Sequence, residues 1–84
     1  MCHQLNLSFA DIEFEMEEDG ILIKSTVKTK EATGVEMEAL TAVSVSCLTI
    51  YDMIKGIDRE AIISEIKLIN KSGGKSGEWS RNEN

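Results

Sequence analysis

D-I-E-F-E-M-E-E-D-G-I-L-I-K-S-T-V-K, residues 11–28, is the stretch that decides the fold. Over residues 11–16 acidic and apolar side chains alternate, the period of two that sends successive side chains to opposite faces of a strand. Ile12, Phe14 and Met16 take one face and the acids take the other. Asp19-Gly20 is the dipeptide suited to a two-residue hairpin turn that needs positive φ. With that loop, Met16 meets Ile23 and Ile12 meets Val27 on the inner face. Glu15 then meets Lys24, and Asp11 meets Lys28, as opposite charges on the outer face. Phe9 is one step out of phase, so a bulge or the true strand start is expected near Ala10. Pattern, turn and charge agree on a β-hairpin over residues 9–30.

Downstream the period changes. Met37, Leu40, Val43, Cys47, Ile50, Ile54 and Ile57 recur at spacings of three or four, the signature of a helix with one apolar side. Thr33 stands three residues before Glu36 as a candidate capping box, and Glu36 and Glu38 suit the positive end of the helix dipole. Gly56 marks the expected C-terminal end. Several β-branched residues weaken the intrinsic propensity, so packing must hold this helix. Asp58-Arg59-Glu60 starts a polar link. Residues 64–70 alternate again through Ile66 and Leu68 and read as a third strand. K-S-G-G-K-S-G (71–77) follows, and residues 80–84 read as a disordered polar tail. The expected order is strand, strand, helix, strand: an α+β layer, one domain over residues 1–79, with a long helix on one face of an antiparallel sheet.

Composition bounds the function. The 84 residues hold no proline, 42% hydrophobic residues and a formal net charge of −6, which argues against bulk nucleic-acid or anionic-membrane binding. Residues 1–50 carry three lysines against nine acids, whereas residues 51–84 carry six bases and six acids, so any anion-binding surface should draw on the second half. The longest uncharged stretch, residues 39–51, is interrupted by Thr and Ser and is too short to cross a bilayer. No signal peptide is visible in the first ten residues. A chain this short buries a modest fraction of its surface, so oligomerisation or a missing partner segment is expected. Two cysteines, Cys2 and Cys47, and one histidine are too few ligands for a zinc site, and no metal is expected. Cys47 falls in an apolar run and reads as a small buried hydrophobe.

Few residues suggest chemistry. Asp52 and Lys55, three apart, are neighbours on a helix surface. Such a pair reads as a solvated ion pair, or as a general acid or base beside a cation that polarises it. The glycines of residues 71–77 would let the backbone approach an anion, with Lys71 and Lys75 supplying charge; the alternative is a flexible terminal loop. Gly74-Lys75-Ser76 ends like a phosphate-binding P-loop, yet residue 69 is Ile where the first glycine belongs, so it is not one. Cys2 and His3 are sequence neighbours whose side chains would point apart on a strand, which disfavours a nucleophilic dyad. Glu36-Met37-Glu38 opens the helix, where acids complement the dipole. Glu38 and Asp52 lie roughly 21 Å apart along a continuous helix. If both act on one substrate, the ligand is elongated or two subunits build the site.

Three segments together resemble one family. T-G-V-E-M-E-A-L-T-A (33–42), L-T-I-Y-D-M-I-K (48–55) and K-S-G-G-K-S-G (71–77), in that order and spacing, look like the C-terminal half of cyclic pyranopterin monophosphate synthase, molybdenum cofactor biosynthesis protein C. Cys2-His3 looks like the end of that family's L-C-H-P-L segment, with Met1 for Leu and Gln4 for Pro. The resemblance implies a ferredoxin-like fold and a lyase-type reaction: a cyclised dihydro-GTP, 3',8-cyclo-7,8-dihydro-GTP, becomes cyclic pyranopterin monophosphate with loss of pyrophosphate. It implies a cytoplasmic homohexamer, a trimer of dimers with sites at subunit interfaces, that needs no cofactor. By motif, Asp52 and Lys55 match the catalytic positions. Cys2, His3, Met37 and Glu38 match substrate-contacting positions, Glu36 is grouped with them, and Lys71 and Lys75 match the basic loop. Family members carry a long segment before the Cys-His dipeptide, with further strand, helix and basic residues. The 84 residues therefore correspond to about half of such a protein, through an internal start, a fragment or a short paralogue. The competing expectation is a non-catalytic oligomerising piece of that enzyme.

Overall fold

The computed structural model describes residues 7–30, 34–73 and 77–82. Strand β1 (Leu7–Glu17) and strand β2 (Gly20–Thr29) form the antiparallel hairpin that the alternation calls for. The register differs from expectation by two residues. Glu17 pairs with Gly20, so the loop is Glu18-Asp19, and Met16 faces Ile21, Phe14 faces Ile23 and Ile12 faces Ser25. Neither the two loop residues nor Gly20 takes a positive φ, so the turn that favours Asp-Gly is not the one formed. The observed register leaves two adjacent acids at the solvated tip, where the expected one would set Glu18 opposite Ile21. A slip of two keeps every side chain on its face, which is why the faces were legible and the pairing was not.

The outer-face charges move with the register. Glu13 opposes Lys24 and Asp11 opposes Thr26. Lys24 still reaches Glu15 diagonally, Nζ to Oε2 3.8 Å. Lys28 instead pairs with Phe9 and lies 5.3 Å over its ring centroid. The irregularity expected near Ala10 falls between Leu7 and Phe9.

Helix α1 (Glu36–Ile54) covers β2 rather than the whole hairpin. Ile23, Ser25, Val27 and Thr29 are half-buried while their strand neighbours are exposed, and the Ser25 hydroxyl donates to the Ala39 carbonyl at 2.7 Å. On the same face of β1, Phe14 and Met16 stay open at 56% and 77% exposure. The helix starts without a side-chain cap: Val35 is the N-cap residue at φ −124°, and the Ala39 amide donates to its carbonyl at 3.1 Å. Glu36 is thus the first helical residue, where a capping box would need it third; Thr33 lies outside the described residues. Thr41, Ser44 and Thr49 return their hydroxyls to the carbonyls of Met37, Leu40 and Val45 at 2.6 to 2.8 Å, which hides polar groups on an apolar helix. With 19 residues and mean hydropathy 1.3, α1 is long and apolar enough to cross a bilayer by length and composition, which the count over residues 39–51 did not show.

Past α1 the chain turns through Gly56. The amides of Ile57 and Asp58 both donate to the Ile54 carbonyl at 2.9 Å. Residues 61–69 form no regular element, contrary to the expected strand over 64–70. Alternation makes a strand only where an edge accepts it, and among the described residues no strand pairs with Ile66 or Leu68. Only Asn70–Lys71 is strand, β3, and it pairs with β4 (Trp79–Ser80). Ser80, expected to head the tail, closes this pair, and Arg81 donates through its amide to the Ile69 carbonyl and through Nε to the Leu68 carbonyl, both at 2.7 Å. The glycine-rich segment thus lies in sequence between two short strands that pair, with residues 71–73 and 77 among those described. Gly73 (φ 82°) and Gly77 (φ 68°) occupy the left-handed region that favours glycine.

Two antiparallel strands, a long helix and a further small strand pair make an α+β arrangement consistent with a ferredoxin-like fragment. No described residue is fully buried. A compact 9.3 kDa chain exposes about 5,000 Å², whereas this one exposes 6948 Å². Its radius of gyration is 14.6 Å, against about 12 Å for a compact domain of this length.

Candidate functional site

The two ends of α1 carry the polar residues, and the rigid helix between them fixes their separation. At the C-terminal end, Lys55 Nζ meets Asp52 Oδ1 at 2.8 Å. Both side chains are well exposed, so the pair adds at most about 1 kcal/mol to stability. What it offers is chemical: a carboxylate held against an ammonium, open to an incoming molecule. Beside the pair, Tyr51, Lys55, Gly56 and Arg59 line a cleft of about 470 Å³. Tyr51 and Arg59 were not among the sequence candidates. The available signal was spacing: Tyr51, Lys55 and Arg59 follow one another at intervals of four, continuing one helical stripe past the end of α1.

At the N-terminal end stand Glu36, Met37 and Glu38. The Glu36 Oε1 lies 3.7 Å from Lys71 Nζ, with both side chains mostly covered. Glu36 Oε2 is buried and, among the described residues, accepts no hydrogen bond. The fold thus joins two sequence motifs, because β3 delivers Lys71 to the first turn of the helix. Met37 is exposed and Glu38 half-buried beside them. Cys2, His3 and Lys75 lie outside the described residues. Cys47 is a free, half-buried thiol. Among the described residues no group of His, Cys, Asp and Glu side chains could hold a metal ion.

The chain does not bring Glu38 and Asp52 together. One unbroken helix, Glu36–Ile54, separates the two clusters, so a ligand touching both must be long or lie between two chains.

Comparison with known proteins gives the same motifs a context. The profile of the MoaC family matches residues 1–74. A molybdenum cofactor biosynthesis bifunctional protein of Chlorobaculum tepidum is 63% identical over 76 residues, 90% of this chain and 24% of that protein. Cyclic pyranopterin monophosphate synthases of Peptoclostridium acidaminophilum and Corynebacterium efficiens are 56% and 51% identical, over 96% and 95% of this chain and 52% of each relative. The chain spans about half the length of the synthases it matches.

Proposed function

The chain belongs to the MoaC family, and from that premise we propose that it serves molybdenum cofactor biosynthesis as part of a cyclic pyranopterin monophosphate synthase. The substrate in this reading is 3',8-cyclo-7,8-dihydro-GTP, and the products are cyclic pyranopterin monophosphate and pyrophosphate. The observation that carries it is the exposed Asp52–Lys55 pair at 2.8 Å. Asp52 takes and returns protons during ring rearrangement, while the adjacent ammonium attracts phosphate oxygens. Lys71 and Lys75 neutralise further phosphate charge. Met37, Glu38 and Glu36, with Cys2 and His3, contact the substrate from the other end of a helix.

Separation along α1 supports a site shared between chains, with Glu38 from one protomer and Asp52 from another. A cytoplasmic hexamer, a trimer of dimers, supplies such interfaces without nucleic acid, membrane or cofactor. A second reading, a truncated, non-catalytic oligomerising piece of the enzyme, is favoured by the lack of any buried residue among those described.

Incubating the chain with the cyclised dihydro-GTP separates the two. The first reading expects pterin product and pyrophosphate, with Asp52→Asn lowering the rate at least about 100-fold while the circular dichroism spectrum is unchanged. No product from the assembled chain leaves the second.

A further inference from the structure

Arg59 stands with Lys55 of the Asp52–Lys55 pair in the lining of the same cleft, and the proposed chemistry does not use it. Asp52 holds Lys55, whereas among the described residues no carboxylate holds Arg59. Its backbone is fixed nonetheless. The Ile57 and Asp58 amides bond to the Ile54 carbonyl, and the Glu60 amide donates to Asp58 Oδ1 at 2.9 Å, an Asx turn centred on Arg59. The Ala61 amide closes the same turn on the Asp58 carbonyl at 3.4 Å. The Arg59 backbone is thus anchored where its residue lines the same cleft as Tyr51 and Lys55.

Gly56 also lines the cleft. A Cβ there would meet nothing within 4 Å, so no packing demand explains its missing side chain. Tyr51, Lys55 and Arg59 bring a phenol, an ammonium and a planar guanidinium to the lining of one open space, a set that suits an anion with several oxygens.

We propose that Tyr51, Lys55 and Arg59 form a polyphosphate subsite, in which Arg59 grips two oxygens of a diphosphate unit and the Tyr51 hydroxyl donates to a third. This rests on the synthase reading only for the source of the diphosphate, which is either the substrate's triphosphate tail or the pyrophosphate it releases. In either case the leaving group is held next to the Asp52–Lys55 pair, and Arg59 sets the preference for a polyphosphate over a single phosphate.

Calorimetric titration of the 84-residue chain with inorganic pyrophosphate, GTP and orthophosphate tests it. Saturable pyrophosphate binding is expected, at least about tenfold tighter than orthophosphate, and weakened about tenfold by Arg59→Ala but about threefold by Arg59→Lys. Tyr51→Phe should weaken it about threefold. Lys24→Ala, on the hairpin, should leave it unchanged. GTP binding tighter than pyrophosphate names the substrate tail as the occupant, and the reverse names the released product. No pyrophosphate binding at millimolar concentration overturns the subsite, as does equal weakening by Lys24→Ala. So does lowered thermal stability of Arg59→Ala with unchanged affinity, because the guanidinium then serves only the negative end of α1. The readout needs no turnover. A chain that binds pyrophosphate through Arg59 yet makes no pterin removes the synthase reading and keeps the subsite, while an active chain indifferent to Arg59 does the reverse.

Discussion

The Glu36 carboxylate answers to two neighbours at once. One oxygen faces Lys71, and the other is buried over Gly34, where a Cβ would come within 2.5 Å of it. Gly34 lies outside the left-handed region, so alanine suits its backbone, and the atom in the way is the end of a flexible side chain. Gly34→Ala should therefore swing Glu36 away from Lys71 while changing stability by less than about 1 kcal/mol in urea denaturation. In the functional reading it should also slow pterin formation, a loss without unfolding. Glu36 and Lys71 were both legible as candidates from sequence. Their meeting was not, because residues 35 positions apart come together only through the path of the chain between them.

Among the elements, the hairpin and α1 followed from periodicity, and the third strand did not. A strand is completed by a neighbour's hydrogen bonds, so the alternation through Ile66 and Leu68 stays without regular structure where none of the described strands pairs with it. The contact between α1 and β2 carries one directional bond. Ser25→Ala should remove about 0.5–1.5 kcal/mol by deleting its donation to Ala39, read as a fall in the urea midpoint at constant slope. The segment between β3 and β4 gives a sharper contrast. Alanine at Gly73 or Gly77 must enter the left-handed region at a cost of about 1–2 kcal/mol. Alanine at Gly20, with ordinary φ and open space around it, should stabilise by roughly 0.4–1 kcal/mol. Thermal unfolding of the three variants should rank them in that order.

For the molecule as a whole, surface is the dominant fact. Exposure of 6948 Å² exceeds the compact expectation of about 5,000 Å² by an amount comparable to the surface buried in a standard protein interface. Phe14 and Met16 on β1, and Val45, Leu48 and Met53 on α1, form open apolar surface. Stability of the isolated chain should therefore depend on concentration, with the melting temperature rising between micromolar and hundred-micromolar protein. A concentration-independent, cooperative melt would show that the chain is self-sufficient. Phe14→Ser with Met16→Ser should lower self-association in sedimentation while α1 helicity persists, since neither side chain is covered by the helix.

Sequence by itself determined what local periodicity and motif identity can determine: two strands with their faces, one long apolar helix, the Asp52–Lys55 pair and the family. Those features depend on neighbours one to four residues apart, and the sequence states such neighbours directly. Tertiary structure alone decided the strand register, the collapse of the expected third strand to Asn70–Lys71, the Glu36–Lys71 contact and the cleft that Arg59 and Lys55 both line. Each depends on how the backbone closes in space. A two-residue slip preserves every face, and an edge or a cleft exists only once separate segments have been placed side by side.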